Sequence, residues 1–152
     1  MKIFIQMKHD ERGQSMVELA LTITLLMTLL AGTVDLGRAF FTWLAMRDAA
    51  QEGASYGSIN PTRLDLVESR VRDNLEQVIS NPADLIVTPR LLPPMGQSYP
   101  PPGQPCFGNT IQVIVNYPHF PLTTPFLGAV LGKQDLSIHA TINDTILAPV
   151  CH

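Results

Sequence analysis

The dominant feature of the hydrophobic pattern is a run without charge from Leu19 to Val34, which Met16 and Val17 extend on the far side of a single acid, Glu18. About 19 helical residues, rising about 1.5 Å each, reach roughly 28 Å, close to the ~30 Å hydrocarbon core of a bilayer. The run therefore predicts a transmembrane helix. Beyond it the pattern changes character without a break. From Asp35 to Ala54 there is no proline, and Leu36, Phe40, Trp43, Leu44, Arg47, Ala50 and Ala54 recur near helical spacing. The helix is expected to continue as an amphipathic one, about 40 residues in all and roughly 60 Å long. Trp43 and the Phe40-Phe41 pair lie where an interfacial aromatic belt belongs. Gly53, Tyr56, Gly57 and Asn60-Pro61 are read as its end.

The same periods divide the remainder. Leu64, Val67, Val71, Leu75, Val78 and Ile79 make an apolar stripe, with Asp65, Glu68, Arg70, Arg72, Asp73 and Glu76 on the other face. This predicts a second helix, with Asn60 as its N-cap, Pro61 in its first turn and Ser80-Asn81-Pro82 as its stop. Leu85 to Thr88 reads as a short strand, and Pro89 to Gly108 as a stiff proline-rich loop. Ile111 to Tyr117 is β-branched and bounded by turn residues. Leu136 to Ile142 alternates, and its pattern extends toward Leu147. Phe126 to Gly132 is apolar but far too short to span a bilayer, and is expected to form a short helix or a docking loop. The fold class is α+β: a long N-terminal helix, a second amphipathic helix and a small antiparallel sheet.

Composition and charge sharpen this only in places. A net charge of −3 and a pI near 5.7 give no reason to expect nucleic acid as a partner. Lys2, Lys8 and Arg12 precede the apolar run, which places the short N-terminus in the cytoplasm and the rest of the chain outside. The two cysteines are Cys106 and Cys151. If the two later strands pair antiparallel, both cysteines fall at one edge of the sheet, and a disulfide is expected there. It would close a loop of about 46 residues, worth roughly 4 kcal/mol in the chain-entropy account. His9, His119, His139 and His152 have no ligand spacing, and no nucleophile elbow or phosphate-binding glycine loop occurs. No catalytic residue, cofactor, metal or small-molecule substrate is expected, and the chain does not read as an enzyme.

Glu18 needs a reason. A cleaved secretory leader has a shorter apolar core and a small-residue cleavage site, for which Ala31-Gly32-Thr33 is a poor candidate. A plain signal anchor tolerates an acid near its end but gives it no role. A third reading starts from Arg12-Gly13-Gln14-Ser15-Met16-Val17-Glu18, a basic residue and a glycine followed, after four residues, by a glutamate as the apolar helix begins. This resembles the processing site of type IV prepilins. The resemblance implies cleavage after Gly13 by a prepilin peptidase, giving a mature chain that starts at Gln14. Its new amine is a cation about one turn from Glu18, and in lipid an acid of one subunit can neutralise the amine of a neighbour. Glycine suits the cut because it lacks a side chain and resists helix formation.

The wording is narrower than pilins in general. Met16-Val17-Glu18-Leu19-Ala20-Leu21, then Val34-Asp35-Leu36-Gly37-Arg38, then Asp48-Ala49-Ala50-Gln51-Glu52-Gly53-Ala54 is similar to the TadE-like family, minor pseudopilins of the tight-adherence (Flp) pilus system. The chain departs from the family in having Thr22-Ile23-Thr24 where a proline is frequent, and Gln51 where an arginine is. The resemblance implies three parts: a leader, 1–13; a transmembrane and extended helix, 14–57; and an extracytoplasmic α+β domain, 58–152, with the proline-rich loop 89–108. It also implies the partners: the membrane, the prepilin peptidase, other pilin or pseudopilin subunits and pilus assembly proteins. The location would be the bacterial inner membrane, with incorporation into a surface pilus as a further step. Small residues Ala20, Ala31, Gly32 and Gly37 would let neighbouring helices approach. The rival from another class is an uncleaved, signal-anchored extracytoplasmic enzyme or ligand-binding domain.

Overall fold

A computed structural model describes residues 11–79, 81–93, 104–123, 128–129 and 132–147. Helix α1, Glu11–Ile59, is one unbroken helix of 49 residues. It starts before the expected cut and ends two residues later than the expected 57. The apolar half, from Gly13 to Val34, is exposed or nearly so along its whole length. Packing begins at Asp35. From there Thr42, Met46, Ala49, Ala50, Gly53, Ala54, Gly57 and Ser58 form a buried stripe at helical spacing.

The glycines of that stripe do not end the helix. A Cβ on Gly53 would sit 2.5 Å from Val71 Cγ2, and one on Gly57 would overlap Ile111 Cδ1. They are where a second helix and a strand approach the α1 backbone too closely for a side chain. The helix ends instead at Asn60, whose N–H bonds the Tyr56 carbonyl. Asn60 is also not the N-cap of the second helix. The chain turns at Asn60-Pro61-Thr62, with Arg63 N–H on the Asn60 carbonyl, and α2 runs Leu64–Leu75 without a side-chain cap. It buries Val67, Val71 and Leu75 against α1, while Val78, beyond its end, is half exposed.

Three strands form one antiparallel sheet in the order β1-β2-β3, with β1 Ile86–Leu92, β2 Thr110–Pro121 and β3 Asp135–Thr145. Strand β1 passes through Pro89, where the sequence suggested a loop. The register pairs Pro89 with Val113 and Thr88 with Ile114. Proline fits because antiparallel residues alternate between bonding inward and facing outward, and here the missing N–H falls on the outer edge. Gly108, with φ +86°, opens β2 through a bulge: its N–H bonds the Ile146 carbonyl, and the Ile146 N–H bonds the Asn109 carbonyl. One sheet face packs Val87, Ile111, Val113, Val115, Tyr117, Ile138 and Ala140 against α1 and α2 to form the core. The apolar stretch 126–132 falls mostly outside the described residues, as does most of the proline-rich loop beyond Pro93.

Candidate functional site

The sequence points to the start of α1. Gly13, Gln14, Val17, Glu18, Leu21 and Thr22 occupy one strip of the helix and line a shallow groove of about 650 Å³. Two rows of residues four apart make the strip, so the Gly13–Gln14 bond and the Glu18 side chain share one face, about one turn from each other. Glu18 is exposed, and a Cβ on Gly13 would meet nothing within 4 Å. Packing among the described residues therefore gives no reason for glycine at this position. The bond lies within the helix, so a peptidase that takes an extended chain has to unwind it. Glycine lowers that cost, being about 1 kcal/mol less favourable than alanine in a helix.

The apolar half also carries hydroxyls, and the fold satisfies them locally. Thr22 donates to the Glu18 carbonyl at 2.8 Å, Thr24 to Ala20 at 2.8 Å, Thr28 to Thr24 at 2.9 Å and Thr33 to Leu29 at 2.9 Å. With each of these four threonine hydroxyls bonded to the carbonyl one turn back, none of them would be an orphan donor in an apolar surrounding. This helix is long and apolar enough to cross a membrane.

A second charged site went unassigned in the sequence, although Asp35 and Arg38 stand in one of its motifs. Asp35 is 1% exposed at the point where α1 enters the core. Its Oδ1 accepts the Thr123 N–H at 3.2 Å and lies 3.6 Å from the Arg38 guanidinium. Arg38 also donates to the Thr123 hydroxyl and lies 5.4 Å over the Phe120 ring. The pair clasps the end of β2 to the helix just past the apolar run. A charged pair directly after such a run is the available sequence signal, but nothing local names Thr123. The aromatic residues are exposed beside it: Phe40 stacks on Trp43 at 6.1 Å and Arg47 lies 5.9 Å from the Trp43 ring. A cavity of about 260 Å³ lined by Arg38, Phe41, Thr42, Val78, Tyr117 and Phe120 opens at the same level.

At the far end Cys106 is 3% exposed and disulfide-bonded. Cys151, the chain's other cysteine, lies outside the described residues. His119 Nδ1 meets Asp135 Oδ2 at 2.8 Å, and this bond holds the Asp135 carboxyl below its ordinary range. His139 sits exposed on β3, away from that pair. No cluster of three potential metal ligands occurs among the described residues.

Comparison with known proteins gives one match. No curated protein and no solved structure is detectably similar. The family described as TadE-like protein matches residues 13–55. That stretch begins at the glycine of the expected cut and covers both the apolar half of α1 and most of its packed half. By this match residues 13–55, most of helix α1, are similar to the TadE-like family.

Proposed function

We propose that the chain is a pseudopilin-like component of a tight-adherence pilus assembly or secretion system. Prepilin peptidase cuts it after Gly13, and it then acts by helix packing and contacts between subunits. The observation that carries this reading is the pairing of Gly13, which no packing among the described residues requires, with Glu18, a lone acid on a helix half that stands clear of the described core. After the cut, the Gln14 amine and the Glu18 carboxylate sit on one strip. Each subunit then offers a cation and an anion to its neighbours at the same depth in lipid. The clasp at Asp35 makes α1 and the sheet one body, so packing of the helices also sets the positions of the outer domains. The disulfide at Cys106 suits an oxidising compartment and hence a domain outside the cytoplasm. In this reading its partner is Cys151.

The test is the mature N-terminus of protein extracted from membranes. Sequencing is expected to start at Gln14, and Gly13→Ala is expected to leave the leader attached without lowering the stability of the fold. A chain that starts at Met1, or beyond Gly32, overturns the reading. Glu18→Ala is expected to be cut normally yet to be lost from the assembly, read as the fraction recovered with sheared pili.

A further inference from the structure

Helix α1 passes from its exposed half into its packed half without a break, and this limits how far the packed domain can stand from a bilayer. About 20 helical residues fill the ~30 Å hydrocarbon core. Laid from Met16 or from Glu18, they end close to Asp35–Arg38. The clasp ties the sheet to the helix at this same level, with the Thr123 N–H on Asp35 and the Phe120 ring beneath the Arg38 guanidinium. The end of β2 is therefore held at the border. The start of β3 is held there too, because Leu136 pairs with Phe120. Val78, beyond the end of α2, joins them, since it lines one cavity with Arg38 and Phe41.

This foot of the domain is apolar on its surface. Leu36, Phe40, Phe41, Val78 and Leu136 are exposed, and they come from three separate parts of the chain. The charges at the same level cancel. Arg38 lies 3.6 Å from Asp35, His119 bonds Asp135 at 2.8 Å, and the Lys133 charge acts on the same Asp135 carboxyl. With His119 neutral, the cations Arg38 and Lys133 balance the anions Asp35 and Asp135. Such a surface offers little to an anionic headgroup layer. It suits a zwitterionic one, where aromatic rings settle between headgroups and acyl chains.

We infer that the foot is a membrane-docking surface whose partner is the zwitterionic phospholipid of the adjoining leaflet. The packed domain rests on the bilayer, with Phe40, Phe41, Val78 and Leu136 at the boundary between headgroups and acyl chains. Lipid is the occupant because of continuity: one unbroken helix carries both the apolar half and the foot, so every copy that crosses a bilayer brings its foot to the lipid surface. The docking rests on α1 crossing a membrane, which it shares with the pilus reading, and not on cleavage after Gly13.

The test places the full chain in phosphatidylcholine vesicles. Trp43, the single tryptophan, is removed by Trp43→Phe, and a new one is set at the foot by Leu136→Trp or at the far end by Phe107→Trp, both exposed positions. Phosphatidylcholine carrying a nitroxide on its headgroup is expected to quench the Leu136→Trp signal about threefold more than the Phe107→Trp signal. Equal quenching at the two positions overturns the inference. Phe40→Ser with Phe41→Ser is expected to cut the quenching at position 136 by about half, both rings being exposed and outside the core. Unchanged quenching in that variant overturns the inference. So does a dependence on added anionic phospholipid, or a signal at position 136 that loses its quenching as chains are crowded into each vesicle, which would make a second copy the occupant. A mature N-terminus at Gln14 with no excess quenching at position 136 would remove this inference alone; one at Met1 with the excess present would remove the pilus reading alone.

Discussion

Met27 and Met46 stand on the same unbroken helix, the first 62% exposed and the second fully buried. The difference is in what surrounds them. Beyond Asp35, α1 is the spine of a core and its burial is supplied by α2 and the sheet. Before Asp35 no side chain is buried among the described residues, and further burial would come from lipid or from other subunits. The glycines differ along the helix too, with the change falling after Gly37. Gly13, Gly32 and Gly37 have open space where a Cβ would go, whereas Gly53 and Gly57 do not. Identical residue types on one helix thus stand exposed in one half and pack into the core in the other.

The sharpest way to break this comparison is to make the same substitution in both halves. Met46→Ala is expected to cost about 2–5 kcal/mol, the range for deleting a fully buried large side chain. Met27→Ala should leave the stability of the packed domain unchanged. Both are read from denaturant midpoints in detergent, followed by Trp43, the single tryptophan, which lies on the packed half. Equal losses would show that the apolar half is part of the cooperative unit.

Removing the clasp tests the border itself. Asp35→Ala strips the Thr123 N–H of its acceptor and Arg38 of its ion-pair partner, with an expected loss of about 1–3 kcal/mol, the range for a buried bond to a charged group. Asp35→Asn should recover part of it. A midpoint unchanged in Asp35→Ala would show that the helix and the sheet are held together without the clasp.

The glycine pair gives the smallest effect. Gly57→Ala must displace Ile111, at about 1–3 kcal/mol for overpacking, partly offset by up to about 1 kcal/mol of helix propensity. Gly32→Ala should show no loss. A stabilised Gly57→Ala would mean that Ile111 yields freely and that the close approach is not required.

Much of this was legible beforehand, and the misreadings have physical causes. Both helices and all three strands follow from period, because the 3.6- and 2-residue repeats are local. The ends were less legible. Gly53 and Gly57 looked like stop signals, since a glycine's local meaning is flexibility, yet Val71 and Ile111 made them sites of close approach. Pro89 looked like the start of a loop because proline lacks a donor. It continues a strand because that position faces away from β2. Asn60-Pro61 looked like a cap and first turn, but became the turn between the two helices.

The sequence by itself determined what depends on neighbours along the chain. This includes the long apolar helix, the Gly13-to-Glu18 spacing that puts the expected cut and the acid on one strip, and the alternation that makes strands. Only the tertiary structure decided what depends on residues far apart. It brought Thr123 to Asp35, set Leu136 opposite Phe120 and put the proline on the outer edge of the sheet. Hydrophobic period says which face of an element is buried, but not what lies against it; that is fixed when one packing arrangement pairs the backbone groups and fills the core at once.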